Sequence, residues 1–155
     1  MKKIYRFSLC ILFLLSFSFS LTAQNSFFAP MDESAVSLTN SNRVIIPTKY
    51  NTVKADMVQL KTFLWSLPSE KSVNTSTAPI MQVPMPDGRM VRFRVWETHI
   101  QAPELAAKFP TIKTFAGQGI DDPHATIWFD YGPRGFHGQV LSVNGSYYID
   151  PYAVG

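Results

Sequence analysis

The stretch HATIWFDYGPRGFHGQVLSVNGSYYID, residues 124–150, decides the fold. Ala125, Ile127, Phe129 and Tyr131 alternate with Thr126, Trp128 and Asp130, the period-two pattern of a strand with one buried face. Gly132-Pro133-Arg134-Gly135 interrupts it, and residues 136–143 resume as a second strand. Asn144-Gly145 is a strong two-residue hairpin signal and leads into a third strand over 147–150. With Asn144-Gly145 at the turn centre, Val143 pairs with Ser146, so Val140 faces Ile149 and Ser142 faces Tyr147. An even-numbered loop before Phe136 brings Ala125, Ile127 and Phe129 onto the face of Phe136 and Val140. Three strands then share one apolar surface, which a one-residue slip would expose. The expectation is a three-stranded antiparallel meander.

Working outward, residues 80–84 and 90–97 read as a hairpin turned by Pro86-Asp87-Gly88, with Val91, Phe93 and Val95 on one face and Arg92 and Arg94 on the other. A helix is expected at about 56–67. Asp56 caps it, Gln59 completes a capping-box pattern, and Met57, Leu60, Phe63, Leu64 and Leu67 recur at helical spacing before Pro68. A short helical turn is expected at about 103–108, between Pro103 and Pro110. Residues 24–42 read as extended, Arg43-Val44-Ile45-Ile46 as a short strand stopped by Pro47, and residues 50–55 as a weaker strand. Residues 69–79 read as a polar loop, and Gly117-Gln118-Gly119 with the residues up to Pro123 as a sharp turn. The fold class is α+β, mainly antiparallel β, made of hairpins and the C-terminal meander.

The chain has 155 residues, one domain's worth, and at 46% hydrophobic and 16% charged it has the composition of a globular protein rather than a disordered one. Lys2, Lys3 and Arg6 precede an apolar run over 7–21 that ends at Leu21-Thr22-Ala23. This is the pattern of a secretory signal peptide, residues 1–23, cleaved between Ala23 and Gln24. The run falls short of the roughly 20 apolar residues that span a bilayer, so no membrane anchor is expected after cleavage. The product is exported to the periplasm, the cell surface or the medium. The net charge of +3 leaves with the signal, which holds three of the 14 basic residues and none of the 11 acidic ones. A neutral mature chain implies no nucleic-acid partner. Cys10, the only cysteine, also lies in the signal, which excludes disulfides and a thiol nucleophile. Residues 43–155 form the expected α+β domain, ending so soon after its last strand that a C-terminal truncation is expected.

Chemistry-bearing residues are sparse. His99, His124 and His137 are 25 and 13 residues apart, a spacing that fits no compact zinc pattern, and no H-E-x-x-H occurs. His124 and His137 are expected near each other on the polar face of the meander, where Asp130 and Asp150 are expected to project too. Gly117 and Gly119 have phosphate-loop spacing, but the third glycine is missing and Asp121 and Asp122 stand where a phosphate would approach. Arg89, Arg92 and Arg94 with Phe93 and Trp96 read as a solvated strand face. There is no G-x-S-x-G and no carboxylate pair set for acid/base work, so no catalytic site is expected in this chain.

The segments Phe27-Phe28-Ala29-Pro30, Asp32-Glu33-Ser34 and Arg43-Val44-Ile45-Ile46-Pro47 resemble the opening of secreted, reprolysin-like zinc metallopeptidases of Bacteroidetes. The resemblance continues through Met85-Pro86-Asp87-Gly88, Phe93-Arg94-Val95 and Ala102-Pro103-Glu104-Leu105-Ala106. It is strongest in Gly117-Gln118-Gly119-Ile120-Asp121-Asp122-Pro123, Ala125-Thr126, Gly135-Phe136-His137 and Tyr148-Ile149-Asp150-Pro151-Tyr152. It covers nearly all of the mature chain, which resembles the propeptide-like region ahead of the peptidase domain. It implies a parent whose zinc peptidase domain follows this segment, often with a C-terminal sorting signal for type IX secretion. The chain itself would carry no cofactor, its partner being its own downstream peptidase domain. A pro-region assists folding and keeps the peptidase latent. Without a cysteine to block the zinc, Asp121 or Asp122 is the expected latency ligand. The alternative from another class is a stand-alone secreted β-rich binding or adhesion module, for a carbohydrate or protein ligand, with Trp96, Trp128, Tyr147 and Tyr148 as an aromatic platform.

Overall fold

The computed structural model describes residues 26–38, 42–43 and 45–153; the expected signal peptide and its Ala23–Gln24 junction lie outside the described residues. Among the described residues the strands are β1 (Phe28–Pro30), β2 (Val53–Ala55), β3 (Ile80–Pro84), β4 (Met90–Thr98), β5 (Lys113–Gly119), β6 (Thr126–Gly132), β7 (Gly135–Ser142) and β8 (Gly145–Ile149). The helices are α1 (Met57–Trp65) and α2 (Pro103–Lys108). β3 to β8 pair in chain order as one antiparallel six-stranded sheet, and β1 pairs with β2 beside it. The class is α+β with β predominating, and the expected meander is the last half of a longer one.

Period-two alternation builds the core. Met81 and Val83, Phe93 and Val95, Phe115, Ile127 and Phe129, then Phe136 and Val140 fill one face of the sheet and are buried. Leu60 and Leu64 of α1, Phe27 just ahead of β1 and Phe28 at its start join them in a single cluster. Phe28 meets Phe136 edge-on at 5.6 Å between centroids, and Trp65 meets Tyr131 edge-on at 5.5 Å. α1 starts where its cap chemistry puts it. The Asp56 carboxylate accepts from the Gln59 backbone N–H at 3.0 Å and from the Gln59 amide at 2.8 Å. The first of these bonds satisfies a backbone donor that the first helical turn leaves unpaired.

Four expectations change. Gly117-Gln118-Gly119 is not a turn but the end of β5, and the turn follows it. A Cβ on Gly117 would stand 2.7 Å from the Arg94 carbonyl oxygen and one on Gly119 2.1 Å from that of Asp122. The glycines therefore mark close backbone approach. The β7–β8 hairpin turns at Val143-Asn144 rather than Asn144-Gly145, with Ser142 opposite Gly145 and Val140 opposite Tyr147. Gly145 takes the positive φ, +124°, as the first residue of β8. The slide is two residues, so the buried face is unchanged.

Arg43, Ile45 and Ile46 form no strand, and Ile45 and Ile46 are 71% and 72% exposed. Within the stretch expected to be extended, Phe28–Pro30 is extended as β1 and pairs with β2, but Asp32 then caps a 3-10 turn over Glu33–Ala35.

Candidate functional site

The side of the sheet away from the core carries one continuous row. Strand register places Trp96 opposite Ala116, Ala116 opposite Trp128, Trp128 opposite Gln139 and Gln139 opposite Tyr148. Trp128 is 47% exposed and Tyr148 64% exposed, while Ala116, between the two indoles, is buried. The Gln139 amide donates to the Tyr148 hydroxyl at 3.1 Å. Three of the four expected platform residues thus share a row. Tyr147 does not, because it points to the core side, where burial pushes its phenol up to about 12 and leaves its hydroxyl without a partner.

Beside this row runs a polar one. Thr98 and Thr114 join through their hydroxyls at 3.1 Å, and Asp130 stands opposite His137. His137 Nδ1 lies 3.1 Å from an Asp150 carboxylate oxygen. Burial raises the Asp130 carboxyl above the ordinary range. His124 is not here: it sits in the β5–β6 turn, at the other end of β6. His99 lies beside Glu70, 3.5 Å from its carboxylate. No group of three or more His, Cys, Asp or Glu side chains among the described residues is placed to hold a metal ion.

The β5–β6 turn holds Asp121 and Asp122. The Arg92 guanidinium donates to Asp121 at 2.6 and 3.0 Å, the Arg92 backbone N–H adds a bond of 2.7 Å, and together they lower the Asp121 pKa. Asp122 accepts from the Ser142 hydroxyl at 2.8 Å and the His124 N–H at 3.0 Å, and its pKa also falls. Both carboxylates close the chain's own turn. Arg94 donates to the Ala78 carbonyl at 3.1 Å and Arg89 to Asp87 at 2.8 Å, so all three arginines of the β3–β4 hairpin are engaged internally. An open groove of about 330 Å³ runs past Gln82, Arg92 and Asp121.

A third cluster was not expected from the sequence. Glu33 pairs with Arg43 and accepts from the hydroxyls of Tyr152 at 2.6 Å and Tyr50 at 2.7 Å. The Arg43 guanidinium lies 4.3 Å from the Tyr152 ring centroid and 4.7 Å from that of Tyr50. The tyrosine hydroxyls are the main cause of a lowered Glu33 pKa. No local signal reveals this knot, because its members are up to 119 residues apart.

No helix among the described residues is long and apolar enough to cross a membrane. No protein-family model, no curated protein and no solved structure matches the chain.

Proposed function

We propose that this chain is the N-terminal pro-region of an exported, reprolysin-like zinc metallopeptidase, assisting the folding of the peptidase domain and holding it latent. The observation that carries the reading is where the resembling segments meet. Asp32-Glu33-Ser34, Arg43 and Tyr152 supply the knot of Glu33, Arg43 and Tyr152. Gly119, Asp121 and Asp122 supply the closed β5–β6 turn. Motif residues spent on the chain's own shape suit a segment whose task is to present a folded surface to a covalently attached partner. Zinc belongs to that partner, and this chain's part is to cover the cleft.

Latency through Asp121 or Asp122 carries a cost, since each must first release its partner, Arg92 or Ser142. Reading the DNA past the codon for Gly155 tests the assignment directly. An in-frame continuation to an H-E-x-x-H helix is the expected result; a stop codon there sinks it. With the peptidase domain expressed separately, the added chain should inhibit it. Loss of that inhibition in Asp121→Ala or Asp122→Ala identifies the zinc-facing carboxylate, and full inhibition by both variants removes the carboxylate mechanism.

A further inference from the structure

The row Trp96–Ala116–Trp128–Gln139–Tyr148 places an aromatic ring on every second strand, β4, β6 and β8. Neighbouring strands are about 4.8 Å apart, so successive rings stand roughly 10 Å apart along a line across the sheet. Between them lie a methyl group and an amide. Trp128 and Tyr148 stand in solvent and forgo the burial that usually stabilises large aromatic side chains, and with the half-buried Trp96 in register they make a strip rather than a scatter.

From this geometry we infer that the outer face of the sheet binds an extended, neutral, β-linked hexose glycan. Such a chain is a flat ribbon whose disaccharide repeat is about as long as two strand spacings. Every second sugar can lay its C–H face on a ring, with Ala116 and Gln139 beneath the sugars between. The bordering row of Asp130, His137 and Asp150 offers acceptors and donors to the ring hydroxyls, and the Gln139 amide offers both. About five hexose units reach all three rings.

Charge and backbone geometry select this ligand over others. A polyphosphate chain would run beside Asp130 and Asp150, while Arg92 and Arg94 are already engaged with Asp121 and Ala78. A peptide strand needs free backbone groups, and on the face of the sheet these are spent in the ladders between β4 and β8. The inference stands apart from the pro-region reading, and either can fail alone.

The test uses the purified full chain with three probes: a β-1,4-linked glucose hexamer, a β-1,4-linked N-acetylglucosamine hexamer and an α-1,4-linked glucose hexamer. Binding is followed by tryptophan fluorescence and calorimetry. At least one β-linked hexamer should saturate the protein, with the α-linked one about tenfold weaker. Trp128→Ala and, separately, Tyr148→Ala should each weaken binding roughly three- to tenfold, the usual worth of one aromatic stacking contact. Tyr147→Phe, on the core side, should bind as the wild type does. The inference is overturned if neither β-linked hexamer binds below about 1 mM, or if both exposed-ring variants bind unchanged. It is also overturned if sedimentation shows that these substitutions abolish a dimer while leaving glycan affinity intact. Thermal melting of each variant confirms that its fold is retained.

Discussion

Asp121 and Asp122 are adjacent in sequence, yet each does a different job. Asp121 ties the β5–β6 turn to β4 through Arg92, while Asp122 ties it to the end of β7 through Ser142. That two acids sit in a turn is legible in Gly119-Ile120-Asp121-Asp122-Pro123. Which cation and which hydroxyl they meet is not, since Arg92 is 29 residues away and Ser142 is 20. The Asp121 side chain remains 37% exposed, so solvent screening keeps the pair's contribution modest. Its carboxyl pKa is lowered in the folded state, chiefly by Arg92. The contribution is therefore present above the ordinary carboxylate pKa of about 3.9 and is lost as pH falls through the lower, folded value. Asp121→Asn should lower the urea midpoint at neutral pH, and its gap to the wild type should close in acid. A gap of equal size in acid would show that the charge is not what matters.

At the scale of elements, α1 was the most legible feature because its signals are local. Asp56 and Gln59 act within one turn, and Leu60 and Leu64 are one turn apart. The two kinds of signal differ in weight. Asp56→Ala should cost about 1 kcal/mol, as the loss of an N-cap does. Leu64→Ala should cost roughly 2–5 kcal/mol, since it opens a cavity in the core. Denaturant unfolding of the two variants checks the order; a larger loss from the cap than from the leucine would contradict it. β5 was the least legible element. Lys113, Thr114, Ala116 and two glycines lack the apolar alternation of a strand, and only the close approach of β4 and the following turn explains why glycine belongs there. The β7–β8 hairpin lies between these cases: its faces were readable, its register was not, because shifts of two residues bury the same side chains.

For the whole molecule, the knot of Glu33, Arg43, Tyr50 and Tyr152 matters most, fastening a segment ahead of β2 to the chain beyond β8. Its groups are mostly near the surface, so its effect belongs to local opening rather than to global stability. Glu33→Gln keeps the shape but removes the charge facing Arg43 and the strongest acceptor for both tyrosines. Limited proteolysis should then cut residues 33–50 faster while the global melting temperature moves little; unchanged cutting would mean that the segment is held by something else. The sequence by itself determined the β-rich class, the helix and its cap, the hairpins and the face that each strand buries. Periodicity, turn residues and caps act over a few residues, so they can be read from neighbours. Only the tertiary structure decided the place of β5, the register of the last hairpin, the partners of Asp121 and Asp122, and the alignment of Trp96, Trp128 and Tyr148 in one row. Each of these depends on which distant segments lie side by side, and that is set by how the whole sheet closes over a single core.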